Sequence, residues 1–140
     1  MNSFERCMRV INQQLPDRMP VIPQDAQIAA YLGGLDCIEF ATDADKRAAA
    51  IIAQRERFDF DGMIIGGDTV CLAEAVGVKS EHSKTECPRW KAGCLDNYDN
   101  IEDLKVCNPA KDARLPVWVD TVRLIAEQNG MECKRLHVVA

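Results

Sequence analysis

Apolar residues recur at helical spacing in three stretches of the chain, and short uninterrupted apolar runs fall between them. Phe4, Cys7, Met8, Ile11 and Leu15 follow Ser3, a good cap, and stop before Pro16, which predicts a first helix with Asp17-Arg18-Met19-Pro20 as the turn out of it. Val21-Ile22, bounded by Pro20 and Pro23, reads as a short strand, and Ala26 to Leu32 as a short helix closed by Gly33-Gly34. Thr42 starts the clearest helix: Asp43 and Asp45 place negative charge at its positive end, and Ala48, Ile51, Ile52 and Arg55 continue it to about Phe58. Met63-Ile64-Ile65 is too short for a helix and suits a strand buried on both faces. A short helix over Thr69 to Ala75 follows, with Gly77 as its stop.

The second half of the chain carries less pattern. From Val78 to Asn108 it is polar, with Pro88, Gly93, Asn97 and Asn100, which predicts a long excursion holding one helical turn near Ile101 to Leu104. Pro116 opens a helix through Gln128 with Trp118, Val122 and Ile125 on one face, and Asn129-Gly130 ends it. Leu136-His137-Val138-Val139 begins another strand. Strand and helix alternate along most of the length, so the expected fold class is α/β, a parallel sheet with covering helices. The chain reads as a single domain, with residues 1–18 as an N-terminal helix and turn and 78–108 as the excursion.

Composition narrows this picture without changing it. With 140 residues, 47% hydrophobic and 28% charged, the chain has the make-up of one soluble globular domain. Its formal charge of −5 is spread along the sequence with no Lys/Arg block to track a row of phosphates, which argues against nucleic acid. No apolar stretch approaches the roughly 20 residues that span a bilayer, and Met1 to Arg6 lacks a signal-peptide layout, so a cytoplasmic location is expected. The seven cysteines form no CxxC pair, which fits free thiols in a reducing compartment rather than a disulfide framework.

The candidate chemistry gathers after Ile65. Gly66 and Gly67 remove side chains at the carboxyl end of the expected strand, where backbone or ligand can approach closely, and Asp68 then presents a carboxylate where α/β folds place working groups. Asp68 equally suits capping of the helix that starts near Thr69, and one carboxylate can do both. His82, Cys87, Cys94 and Cys107 are four potential metal ligands, but their spacings of four, six and twelve residues match no compact zinc module, and no metal site is expected from them. His137 in its apolar run suits a packed core histidine, Trp118 a buried helix face, and Trp90 a loop position able to line a pocket.

Three segments together resemble the amino-terminal part of the uroporphyrinogen decarboxylase superfamily, which includes corrinoid-dependent methyltransferases. They are Pro16-Asp17-Arg18-Met19-Pro20-Val21; Phe60 through Asp68 with Glu74-Ala75-Val76-Gly77; and Ile101-Glu102-Asp103-Leu104 through Arg114-Leu115-Pro116-Val117. The similarity runs from about Phe4 to about Leu124 and keeps the family's order and spacing. It implies a (β/α)8 barrel with its pocket at the carboxyl ends of the strands, a fold needing roughly 250 residues, of which this chain supplies the N-terminal half. Asp68 matches the aspartate that reaches the pyrrole nitrogens at the mouth of the decarboxylases, and Gln24 and Asp25 would line the mouth after the first strand, with Gly66 and Gly67 beside Asp68.

The decarboxylases also carry an arginine-rich segment after that strand, to pair the many carboxylates of their tetrapyrrole. Val21 to Gly34 contains no Arg or Lys here. That departure turns the resemblance toward the methyltransferase branch, in which a methyl group passes between a corrinoid, methylcobalamin, and a thiol-type acceptor, with a corrinoid protein or a small tetrapyrrole as the partner. Zinc serves thiol activation in that branch through a His-x-Cys pair and a later Cys in the second half of the barrel, and no His-x-Cys occurs here. The isolated chain is then expected to be inactive. Uroporphyrinogen decarboxylase itself and a non-enzymatic corrinoid- or tetrapyrrole-binding module are the alternatives, and half a barrel invites self-association or a complementary half.

Overall fold

The computed structural model describes residues 1–24, 26–66, 68–95 and 97–128. Helices form where caps and apolar spacing coincide. In α1 (Ser3–Ile11) the Asn2 side chain accepts from the Glu5 amide at 2.8 Å while the Glu5 carboxylate accepts from the Asn2 amide at 3.1 Å. The helix stops a turn short of the apolar spacing and leaves Leu15 exposed. After α2 (Ala26–Leu32) comes α3 (Cys37–Thr42), a helix missing from the pattern-based expectation, whose capping box joins Asp36 and Glu39. Six residues are too few for apolar periodicity to show.

Asp43 closes α3 and caps the long α4 (Ala44–Phe58) through the Lys46 amide at 3.0 Å, so that helix begins two residues beyond Thr42. The chain continues through α5 (Cys71–Ala75), β1 (Lys79–Glu81), β2 (Arg89–Ala92), a 3₁₀ helix (Tyr98–Asp103) and α6 (Leu115–Gln128). No helix among the described residues is long and apolar enough to cross a membrane.

The core lies where α2, α4 and α6 meet around Phe40. Its buried members are mostly small, Ala29, Ala30, Ala48 and Ala50 with Ile51 and Ile125, and such faces let helices approach closely. A Cβ at Gly33 would stand 3.0 Å from that of Ala50 and 3.2 Å from the Ala29 carbonyl, so a side chain where α2 ends against α4 would have to push the two helices slightly apart. Burial of the Ile125 side chain, 1% exposed, contributes about 1.5–3 kcal/mol. A satellite cluster of Cys71, Ala75 and Leu115, joined by Cys107 and Trp118, seats α5 on the start of α6.

The expected parallel sheet is not formed among the described residues. Val21-Ile22 and Met63-Ile65 lie in no helix and no ladder, and the sheet present is an antiparallel hairpin of β1 and β2 pairing Ser80 with Trp90 and Glu81 with Arg89. The two segments are nonetheless neighbours: the Asp61 amide donates to the Val21 carbonyl at 2.9 Å, and a Cβ at Gly62 would meet Ile22 at 3.1 Å. A ladder needs alternating N–H and C=O groups on both chains. Pro20 and Pro23 remove donors on either side of Val21-Ile22, and the Val21 amide donates instead to the Asp61 carboxylate at 2.9 Å. Met63 and Ile65 are half-buried on the main core rather than covered on both faces. The expected closing strand at 136–139, with the helix stop at 129–130, lies outside the described residues.

The hairpin was hidden in the polar excursion because its strands bury almost nothing: all four residues of β2 are exposed, so no alternation marks them. The loop joining its strands docks on α3, where the Cys37 amide donates to the Lys84 carbonyl at 2.9 Å and Lys84 Nζ lies 3.5 Å from Asp36.

Candidate functional site

Asp68 stands where the segment after α4 turns into α5, which begins at Cys71, two residues later than expected, with Val70 as its N-cap and no side-chain cap. Asp68 is therefore not the helix cap; its Oδ1 accepts from the Val70 amide at 3.0 Å and the Cys71 amide at 2.9 Å and so holds the turn leading into α5. Its side chain is only 5% exposed and also lines a small cleft of about 20 Å³, room for about one water, between α2, α3, the α4 residue Arg47 and the hairpin loop at Cys87-Pro88.

Arg114, just before α6, clasps Asp68 with two guanidinium nitrogens: Nη1 donates to Oδ2 at 2.7 Å and Nη2 to Oδ1 at 3.1 Å. Its Nε donates to Glu74 Oε2 at 2.7 Å, so one arginine joins two carboxylates. Glu74 Oε1 faces the hairpin, accepting from Ser80 Oγ and from His82 Nε2, the latter at 2.9 Å. A carboxylate oxygen only accepts, which puts the proton on His82 Nε2. Ser80 and Glu74 therefore share one ring nitrogen, and the trio lacks the opposed-nitrogen geometry of a nucleophile–base–carboxylate relay.

Burial by itself would push the Asp68 and Glu74 carboxyls up. For Asp68 the Arg114 contacts and the two backbone amides outweigh that penalty, and for Glu74 Arg114, Ser80 and His82 do, so both titrate below their ordinary range. Arg114 is driven the other way: burial lowers its pKa, but two carboxylates overcome this and hold the guanidinium charged. Asp68 is thus an ionised carboxylate at neutral pH, oriented by four hydrogen bonds.

Arg47 shares the cleft. It is 0% exposed, its Nη2 donates to the Ile65 carbonyl at 2.7 Å, and its guanidinium lies 5.0 Å from the Phe40 ring centre and 5.2 Å from that of Trp118. Burial pulls its pKa down to about 10, with the charge of nearby Asp68 working against that, so it remains a cation at neutral pH. Two thiols, Cys37 and Cys87, complete this wall. Burial raises the Cys37 thiol above its ordinary value.

The other expected site residues fall differently. Gly66 is exposed, and a Cβ there would meet nothing nearer than Ile64 at 3.9 Å, so the chain is open to close approach at that point. Gln24 is exposed and does not line the cleft; Gln27, one helical turn on, does. Asp25, Gly67 and His137 lie outside the described residues. Trp90 is 71% exposed on the hairpin and away from the cleft, whereas Trp118 packs on the satellite cluster. His82, Cys87, Cys94 and Cys107 do not converge: His82 is taken by Glu74, Cys87 faces the cleft, Cys94 is exposed, and Cys107 packs near α5. Among the described residues no three His, Cys, Asp or Glu side chains are grouped to hold a metal ion. Arg47, Arg114 and Gln27 went unrecognised as site residues; of these only Arg114 carried a signal, lying inside the third resembling segment.

A second arginine–carboxylate cluster ties the N-terminus to the same region of chain. Arg6 pairs with Asp17 through Nε and Nη2 at 2.7 and 2.8 Å and with Asp61 through Nη1, while Arg18 Nη1 reaches Asp61 at 2.6 Å. Asp61 is fully enclosed by these partners and the Val21 amide; that amide, then the arginines and the Ser3 hydroxyl, lower its pKa to about 2 against the opposing effect of burial. Arg18 with Asp61, and Arg114 with Asp68 and Glu74, thus join the three resembling segments in space.

The family model for uroporphyrinogen decarboxylase (URO-D) matches residues 2–135, almost the whole chain. The chain belongs to the uroporphyrinogen decarboxylase family. A solved methyltransferase from Methanosarcina mazei has the same fold over 91% of this chain, with a TM-score of 0.74 at 17% identity. The match covers 39% of that structure, so this family member spans well under half its length. No curated protein matches the sequence.

Proposed function

We propose that this chain contributes the N-terminal half of a (β/α)8 barrel to an enzyme that transfers a methyl group between a corrinoid substrate, methylcobalamin, and a thiol-type acceptor. Asp68 stands at the mouth, oriented by Arg114. The observation that carries the reading is a buried, ionised carboxylate lining a cleft and clasped by an arginine 46 residues away, in a member of this family. Asp68 Oδ2 accepts one hydrogen bond among the described residues, which leaves acceptor capacity for a donor on the ligand. The arginine-free stretch from Val21 to Gly34 favours methyl transfer over removal of carboxylates from a tetrapyrrole.

At about 20 Å³ the cleft is far too small for a macrocycle, so a corrinoid's surface would be met by other parts of the barrel. Leu15, Met19, Val21 and Ile22 are exposed apolar side chains near these two segments, 21–22 and 63–65, which supports a complementary half-barrel, or a second copy, as the covering partner. A strictly monomeric sedimentation profile in the presence of a candidate half would count against that partner.

The deciding assay follows the methyl group of methylcobalamin in the presence of a thiol. The 140-residue chain alone is expected to show no turnover. Co-expression with a polypeptide carrying the remaining strands of a family barrel is expected to give transfer that Asp68→Asn lowers about 10²-fold or more. Sustained turnover by the chain alone would refute the half-barrel reading. Loss of acetate carboxylates from uroporphyrinogen by the assembled protein would replace methyl transfer with decarboxylation, and ligand binding without either reaction would leave a non-enzymatic corrinoid- or tetrapyrrole-binding module.

A further inference from the structure

Cys37 and Cys87 are 50 residues apart in the sequence, and the fold brings both to the wall of one cleft with room for about one water. Both are free and half-buried. Cys37 opens α3, and its amide donates to the Lys84 carbonyl at 2.9 Å, so the hairpin loop touches α3 at Cys37 itself, three residues before Cys87. Burial raises the Cys37 thiol most, and the nearby Cys87 thiol raises it further, ahead of Asp36. The side-chain contact at this junction is weak: Lys84 Nζ lies 3.5 Å from Asp36, but that lysine is 76% exposed, and an ion pair so wet contributes little.

We propose that Cys37 and Cys87 are a reversible thiol–disulfide pair that, when oxidised, staples the hairpin loop to the first turn of α3. A disulfide needs Cα atoms within about 7 Å, a demand that a loop in backbone contact with Cys37 is placed to meet. The co-reactant is a low-molecular-weight disulfide such as oxidised glutathione. One protein thiolate attacks a sulfur of that disulfide and expels one molecule of the reduced thiol. The second protein thiol then loses its proton, attacks the protein sulfur of the mixed disulfide, and expels the other. Two protein thiols are oxidised and one disulfide is reduced to two thiols; excess dithiothreitol runs the exchange backwards. The bridge closes a loop containing all of α4 and α5, which constrains the unfolded chain.

Trypsin separates the seven cysteines into seven peptides, so each pairing has its own mass. The folded 140-residue chain is treated with oxidised glutathione, quenched with acid and mapped without reduction. The dominant species expected joins residues 19–46 to residues 85–89, two hydrogens lighter than the two peptides together. In urea, where sequence distance decides, Cys87 is expected to pair instead with Cys94, because short loops close at least cost. Bridging of the folded chain is expected to raise its thermal midpoint by about 5 °C or more, a shift that dithiothreitol reverses and Cys87→Ser abolishes. Three results would overturn the proposal whether or not that variant folds. They are a dominant Cys87–Cys94 bridge in the folded chain, mixed disulfides with glutathione alone, and a thermal midpoint that the Cys37–Cys87 bridge leaves unchanged.

Discussion

Two arginine–carboxylate clusters organise this molecule, and they differ in whether they close on themselves. Around Asp61, two arginines and a backbone amide converge on one carboxylate, and Arg6 spends its remaining donor capacity on Asp17 and the Met1 carbonyl. Every charge there has a partner in the chain, as in a weld between α1 and the segments at 21–22 and 63–65. Around Asp68, Arg114 binds two carboxylates, but Arg47, packed beside them, is left with a carbonyl and two aromatic rings. A cluster that satisfies itself holds structure, whereas one with a buried charge to spare holds it at a cost.

The largest effect should come from opening the second cluster at its hub. Arg114→Met strands two buried carboxylates and is expected to cost about 3–5 kcal/mol in urea unfolding. A loss under about 1 kcal/mol would mean that Asp68 and Glu74 are solvated in solution and that the cleft is not a buried site.

Acid should act on both clusters together. Asp61, Asp68 and Glu74 all titrate lower folded than unfolded, so the folded chain binds fewer protons and stability falls as pH drops. Their contribution is full above the unfolded carboxylate values, about pH 4, and for Asp61 it is lost as pH falls toward about 2. Midpoints of thermal unfolding across that range should fall steeply, and less steeply in Asp68→Asn. A flat profile would contradict the pairing in both clusters.

Asp68→Asn keeps a side-chain oxygen for the Val70 and Cys71 amides but loses the charge that Arg114 clasps. Its expected cost is intermediate, about 1–3 kcal/mol. Arg47→Met is expected to change stability by less than about 1 kcal/mol, because removing an unpaired buried cation offsets the loss of the Ile65 hydrogen bond and the ring contacts. A loss as large as that of Arg114→Met would make Arg47 as structural as Arg6 and erase the contrast.

What the sequence revealed of these clusters follows from how far each interaction reaches along the chain. α4 and α6 were legible because caps and apolar spacing act within a turn or two, as Asp43 on Lys46 and Pro116 at the start of α6 demonstrate. α3 could have been found from Asp36 and Glu39, three residues apart, but its six residues carry no periodicity. Asp68 was legible as a polar residue at the entry to α5, and its bonds to the Val70 and Cys71 amides are local for the same reason, though they hold the turn and do not cap the helix. Its pairing with Arg114 spans 46 residues, and that of Arg18 with Asp61 spans 43, distances at which no local rule operates. Arg47 was hidden more thoroughly: an arginine on a helix ordinarily faces water, and its burial depends on Phe40 and Trp118 arriving from two other helices. The expected strand at Val21-Ile22 misled because an apolar pair between prolines does not register the donors a ladder requires.

The Val70 and Cys71 amides donate to Asp68, and the Val21 amide donates to Asp61, so backbone amide chemical shifts report on the two clusters separately. Titrating the protein with methylcobalamin is predicted to move the Val70 and Cys71 amides and the Trp118 indole while leaving Val21 in place. Shifts confined to the Val21 end, or none at Val70 and Cys71 at saturating ligand, would contradict the assignment of the Asp68 cleft as the ligand mouth.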